Sequence, residues 1–275
     1  MERDANNMSL FASRPDFADI VPIPQDDGQD PLCSISYTEE YSDATSYLRA
    51  LMKAKEYSDR ALECTASVLC NNPAHYTAWL YRADTLFSLG YDLRCELDFL
   101  DQAAEANSKN YQLWHHRRMM VEKINDMQVV KRELEYTAEF LLSDPKNIHV
   151  WTYRLWILQQ YSIWDGESEL VETLLKDDVR NNSAWNHRYV VNTFTKFDFN
   201  DEFKNTKDKI TLAPQNPSPW SYLRAIVKLA NMPTETSLEI AESYKNKSTH
   251  ALELYADICI EKGLLDEAMK VWSFF

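Results

Sequence analysis

Glycine is scarce in this chain, with four residues in 275. A sheet-rich fold draws on glycine for its many tight turns, so the shortage points to helices. Long hydrophobic runs are missing too. No apolar stretch approaches the ~18 residues of a membrane span, and the start Met1-Glu2-Arg3-Asp4 does not read as a targeting peptide. Cysteine is sparse: Cys33, Cys64, Cys70, Cys95 and Cys259 are odd in number and form no Cys-x-x-Cys. That reads as the reduced thiols of a cytoplasmic protein, mostly core filler. Positive charge is short as well, with 29 Lys and Arg against 43 Asp and Glu, a formal net charge of −14. This balance disfavours a nucleic-acid partner. An anionic small substrate would need a locally basic site, or one completed by a basic partner. The chain has no Gly-rich phosphate loop, no nucleophile elbow and no triad-like grouping. His115 and His116 are adjacent, so a helix points them about 100° apart and they cannot share one metal ion.

What is present is a repeat. Asn or an equivalent, three residues, Trp, two residues and Arg recur as His75…Trp79…Arg82, Asn110…Trp114…Arg117, Asn147…Trp151…Arg154 and Asn181…Trp185…Arg188. A fifth, degenerate copy is Asn216…Trp220, with Leu223 and Arg224 where one Arg is expected. The Trp residues are spaced 35, 37, 34 and 35 apart. A fixed period of this length means stacked supersecondary units rather than one globular core. Each Asn reads as a helix cap, because its side-chain oxygen can accept an orphan N–H of the first turn. The helix it opens is followed by an amphipathic one, such as Cys95-Leu97-Leu100-Ala103-Ala104 or Leu170-Val171-Leu174-Leu175. Stacked hairpins put the first helices parallel, so their entrances should share a rim: Tyr76, Lys109–Gln112, Ile148–His149 and Asn182–Ser183.

The chain divides into a Pro- and Asp-rich N-terminal arm, 1–37, with a turn at Asp27-Gly28, and a helical-hairpin array, 38–275. Apolar Phe17, Ile20, Val21 and Ile23 suggest that the arm lies against something. Trp-centred repeats span about 72–232, and 233–275 holds an end-capping hairpin turning at Lys262-Gly263. The repeat Trp residues read as core and the Trp+3 Arg residues as structural, their forks satisfying carbonyls or acids of an adjacent repeat. Lys109 is the sharp residue. A lysine beside a helix start opposes the dipole unless an anion is bound there. Lys146 holds the equivalent place one repeat later, so position alone does not single Lys109 out.

These residues resemble the alpha-subunit family of protein farnesyltransferase and type I geranylgeranyltransferase. The resemblance runs from about Ala12 to about Met232. It includes the arm from Phe17 to Gly28, Tyr76-Thr77-Ala78-Trp79, Asn110-Tyr111-Gln112-Leu113-Trp114-His115-His116-Arg117-Arg118 and the stretch Asp178 to Asn186. It implies an all-α fold, a right-handed superhelical solenoid of stacked helical hairpins wrapped around a beta subunit. It implies transfer of a farnesyl or geranylgeranyl group from its diphosphate to the cysteine of a C-terminal CaaX motif. Zn2+ would be held by the beta subunit, and Mg2+ would accompany the diphosphate. By motif position the resemblance casts Lys109 as the catalytic cation on the isoprenoid diphosphate. It casts Tyr111, Gln112 and His149 as substrate-binding residues, Gln112 toward the peptide carboxylate. Where the family usually has tyrosine, this chain has Ile148, so that role is not carried over. Two rival readings share the repeat: the alpha subunit of Rab geranylgeranyltransferase, and a helical adaptor without chemistry.

Overall fold

The computed structural model describes residues 10–33 and 35–272. Residues 1–9, which include Met1-Glu2-Arg3-Asp4 of the expected arm, lie outside the described residues, as do 34 and 273–275. The described residues form fourteen α-helices and no strand. They are α1 (Glu39–Ala54), α2 (Asp59–Asn71), α3 (Tyr76–Leu89), α4 (Leu93–Asn107), α5 (Tyr111–Ile124), α6 (Met127–Ser143) and α7 (Ile148–Tyr161). There follow α8 (Glu167–Asp177), α9 (Asn182–Phe194), α10 (Phe199–Leu212), α11 (Pro217–Leu229), α12 (Leu238–Tyr244), α13 (Thr249–Glu261) and α14 (Leu265–Trp272). They fall into two compact units that divide after Leu134, within α6.

The caps form as the repeat predicts. Asn110 Oδ1 accepts from the N–H groups of Gln112 and Leu113 at 2.9 and 3.1 Å. Asn147 caps α7 and Asn181 caps α9 in the same way. Asn216 accepts from Ser218, and His75 caps α3 through Nδ1. The Asn side chain has a second function that an ionised Asp cannot perform, because its amide NH2 is a donor beside the capping oxygen. In the first unit, Asn110 Nδ2 donates to Pro73 O (2.6 Å), which also accepts from Trp79 Nε1 (2.8 Å). In the second unit, Pro145 O accepts from Trp151 and Asn181, and Val179 O from Trp185 and Asn216. One carbonyl with two lone pairs thus serves the Trp of its own repeat and the cap of the next.

All five repeat Trp residues are buried, as are Arg82, Arg117, Arg154 and Arg188. Each Arg forks onto a glutamate of the helix that follows it: Arg82 onto Glu96, Arg117 onto Glu133, Arg154 onto Glu167 and Arg188 onto Glu202. Acids of the preceding helix join in, Asp101 with Arg117 and Glu172 with Arg188. In the degenerate copy the buried place goes to Leu223, and Arg224 turns to pair with Asp257 of α13.

The arm is anchored in the first unit by a two-point cap. Asp43 accepts from the N–H groups of Phe11 and Ala12, and the rings of Phe11, Phe17 and Tyr47 cluster beside it. Val21, expected to pack, is instead 83% exposed. Ile23 N–H donates to Ser46 O, and this fixes the backbone there while leaving Val21 outward. Gly28 makes the expected turn with φ +81°, its N–H donating to Asp26 Oδ1.

The cysteines are not mostly filler. Cys64 and Cys259 are buried, but Cys33, Cys70 and Cys95 are exposed. On α4 the inward stripe is Glu96, Leu97, Leu100 and Ala104. Cys95 lies one residue off it, because Arg82 requires the Glu96 carboxylate inside.

Candidate functional site

In the first unit the loop Ser108-Lys109-Asn110 delivers the chain into α5. Lys109, Tyr111 and Gln112 line one open cleft there, with Ala74 from the entrance to α3 and Ala106 from the end of α4. Lys109 is exposed and has no carboxylate partner among the described residues. Tyr111 is 65% exposed. Gln112 is buried, and its Nε2 donates to Ala74 O at 3.2 Å, leaving one amide N–H and the amide oxygen for other use. Tyr111 and Gln112 also line an adjoining hollow walled by Tyr76, Leu80 and Met119, with Trp79 and His116 at its floor. A cation and the uncommitted amide N–H of Gln112 therefore lie next to an apolar recess. That combination suits a molecule with an anionic head and an apolar body.

Below the cleft is a buried network that the sequence did not show. Glu96 receives both arms of the Arg82 fork at 2.7 Å. It also meets His116 Nε2 at 2.9 Å. Burial alone would raise the Glu96 pKa, but the hydrogen bonds from His116 and Arg82 outweigh it and hold the carboxyl below its usual range. Desolvation lowers His116, against the pull of Glu96, so its ring is neutral at pH 7. A carboxylate can only accept, so Nε2 carries the proton and Nδ1 is the bare nitrogen. The His116 ring lies 4.9 Å from that of Trp79.

The second unit repeats this network with Arg154, Glu167 and His187. His187 Nε2 is 2.8 Å from Glu167 and its ring 4.7 Å from Trp151. His149 lies in this unit, part-buried, in the first turn of α7 with its N–H on Asn147. Ile148 beside it is 65% exposed. Lys146 precedes the same cap, and its ammonium is 3.0 Å from Asp178. The structure thus brings Lys109, Tyr111 and Gln112 together and places His149 at the corresponding entrance of the other unit. Sequence reasoning missed Glu96 and Glu167. Their only signal is an acid on the otherwise apolar stripe of a second helix. Among the described residues no group of three or more His, Cys, Asp or Glu is placed to hold a metal ion. No helix among the described residues is long and apolar enough to cross a membrane.

A capped, Trp-centred hairpin repeated five times defines a class. The family described as "Protein prenyltransferase alpha subunit repeat" matches residues 58–89, 93–124, 130–161, 164–193 and 199–230. Each matched unit starts half a repeat ahead of its Trp helix, and in a periodic array the starting helix is a matter of choice. The chain is 37% identical over 270 residues to the protein farnesyltransferase/geranylgeranyltransferase type-1 subunit alpha of Dictyostelium discoideum, covering 92% of this chain and 83% of that one. It is 35% identical over 284 residues to the Candida albicans protein of the same name, covering 95% and 91%. A solved structure of Candida albicans protein geranylgeranyltransferase-I complexed with GGPP superposes with TM-score 0.88 at 33% identity, covering 95% of this chain and 92% of that one. The chain belongs to the alpha-subunit family of protein farnesyltransferase/geranylgeranyltransferase type I.

Proposed function

We propose that this alpha subunit pairs with a beta subunit in a CaaX prenyltransferase, and that Lys109 stabilises the departing diphosphate. The observation that carries the reading is the contrast between two equivalent lysines. Lys146 is neutralised by Asp178, whereas Lys109 stands uncompensated beside a helix entrance. An unpaired ammonium there opposes the dipole, and a bound anion reverses the sign of that interaction.

The reaction breaks the C–O bond between the prenyl C1 and the diphosphate and forms a C–S bond to the peptide cysteine. Negative charge grows on the leaving diphosphate, so a fixed ammonium aimed at it stabilises the transition state more than the ground state. Lysine suits the task, being a compact charge that accepts several phosphate orientations. The free amide N–H of Gln112 would hold the carboxylate of the peptide's last residue, and the Tyr111 ring would wall the space between peptide and prenyl chain. His149, in the second unit, keeps the substrate-binding role that the family resemblance gives it. The family resemblance assigns the zinc, and most of the prenyl pocket, to the beta subunit. A −14 subunit fits a basic partner by charge complementarity. Exposed Cys70 and Cys95, neither in a disulfide, support a reducing, cytoplasmic setting.

The test is coexpression with candidate beta subunits, then prenyl transfer to a short CaaX peptide from farnesyl and from geranylgeranyl diphosphate, with no escort protein. Thioether formation is the expected result. Transfer that requires an escort protein would select the Rab-type reading, and a copurified pair that binds no zinc and transfers no prenyl group would select the adaptor.

A further inference from the structure

We infer that His116, clamped to Glu96, is a positioning residue: it holds the turn bearing Tyr111 and Gln112 against the α3 entrance and so sets the peptide-binding half of the site. The inference rests on the function proposed above for those two residues.

The argument is a closed circuit of contacts in the first unit. Arg82 of α3 grips Glu96 of α4 with both arms of its fork. Glu96 accepts from His116 of α5, and the His116 ring lies against Trp79 of α3. Trp79 donates to Pro73 O, the carbonyl that also receives Asn110 at the start of α5. His116 is one turn below Gln112 on the same face, since residues four apart on a helix are neighbours. The α5 entrance is therefore pinned at its tip by Asn110 and one turn down by His116, with Gln112 between the pins. Among the described residues the Gln112 side chain makes one hydrogen bond to the segment leading into α3, the 3.2 Å bond to Ala74 O. The direction of its second N–H then depends on where the pinned turn sits.

His116 carries a cost that packing alone does not explain. Its Nδ1 is buried and has no hydrogen-bond partner among the described residues. A buried acceptor left unpaired is unfavourable. Against that cost, this one side chain supplies both the ring face for Trp79 and the donor for Glu96.

The second unit supplies an internal control. Arg154, Glu167, His187 and Trp151 form the same circuit, with Pro145 O receiving Trp151 and Asn181. The entrance it pins carries Asn182 and Ser183, where the first unit has Tyr111 and Gln112. Both networks support their folds, but only the first pins a residue assigned to peptide binding.

The experiment measures peptide KM, diphosphate KM, kcat and Tm on purified heterodimers. His116→Phe keeps the ring and removes the donor. It should raise peptide KM about tenfold with diphosphate KM unchanged, a size in keeping with a small misplacement of a binding group. His116→Gln, whose amide nitrogen can reach the same carboxylate, should stay within about twofold of the parent. His187→Phe should lower Tm about as much as His116→Phe while leaving peptide KM unchanged. The inference is overturned if His116→Phe leaves peptide KM unchanged while Gln112→Ala raises it, or if His187→Phe raises it equally. Should His116→Phe not assemble, Glu96→Gln is read by the same two criteria. Lys109→Ala and Gln112→Ala both without effect would instead remove the site assignment itself, a result separable from silence at His116 alone.

Discussion

At the entrance to α5, Lys109 stands beside the capping Asn110 with no carboxylate partner among the described residues. At the entrance to α7, Lys146 stands beside Asn147 and is tied to Asp178 at 3.0 Å. The caps, the Trp and the buried Arg–Glu fork are the same in both repeats. What differs is the charge left over. A repeat protein copies its scaffold because each copy must bury the same seam. It can differ only at positions the seam does not use, and the residues flanking the cap are such positions. Function is therefore to be sought where one copy leaves uncompensated what another copy satisfies.

The largest expected effect tests the half of this comparison that should be equal. Glu96→Ala and Glu167→Ala each strand a buried guanidinium and remove the acceptor of a buried histidine. Each should cost about 3–5 kcal/mol of stability, the usual size for breaking a buried pair from one side. Chemical denaturation would show two similar losses. A much smaller loss in one unit would mean that the two networks are not equivalent.

The next effect tests the half that should differ. Lys109→Ala should raise the barrier of the chemical step by about 2–4 kcal/mol in single-turnover assays, while the heterodimer still assembles. Lys146→Ala should leave the rate within about twofold, since an exposed ion pair of this kind contributes about 0–1 kcal/mol at most. Equal slowing by both variants would erase the distinction between the entrances.

Much of this was legible in the sequence, for a definite reason. Cap, Trp and Arg sit on one helix, so their offsets are fixed by 3.6 residues per turn and recur without drift. The glutamates that complete the seam follow their Arg by 14, 16, 13 and 14 residues. That offset crosses a loop, loops differ in length, and the periodicity is blurred. The Lys109 contrast was hidden for a similar reason, because Asp178 is a full repeat away from Lys146. Cys95 was misread because one residue of phase on α4 decides between core and solvent, and a cysteine is compatible with both.

Acid should expose the buried network next. His116 is lowered by burial, so below its ordinary value of 6.5 the unfolded chain binds a proton that the folded chain resists. Stability should fall as pH drops through that window. Glu96, also held low, adds to the loss at more acid pH. His116→Gln should flatten the first part of the profile. An unchanged slope would mean that His116 does not titrate differently on folding.

A cap comparison follows. Asn181 is fully buried, caps two N–H groups and donates to Pro145 O. His75 opens the first repeat and caps a single N–H, that of Ala78. Asn181→Ser keeps a capping acceptor but loses the amide N–H that reaches Pro145 O, and should cost about 1–2 kcal/mol. His75→Ser should cost no more than about 0.5 kcal/mol, because serine is itself a good cap. Thermal melts of the two variants would rank them, and equal losses would mean that the donor to the preceding repeat contributes nothing.

The smallest effects concern how the Trp helices end. α3 stops at Gly90 with φ +64°, and α7 stops at Ser162 with φ +54°. Both are left-handed, a conformation that costs an L residue about 1–2 kcal/mol and glycine nothing comparable. A Cβ placed on Gly90 would meet nothing within 4 Å, so the substitution acts through the backbone alone. Gly90→Ala should therefore destabilise the fold by about 1 kcal/mol, whereas Ser162→Gly should stabilise it by up to about 1 kcal/mol. The opposite signs are the informative part, because the greater freedom of glycine in the unfolded chain works against both expectations. If Ser162→Gly destabilises, that unfolded-state term outweighs the strain at this helix end, and a repeat with few glycines gains stability by tolerating left-handed serine and asparagine.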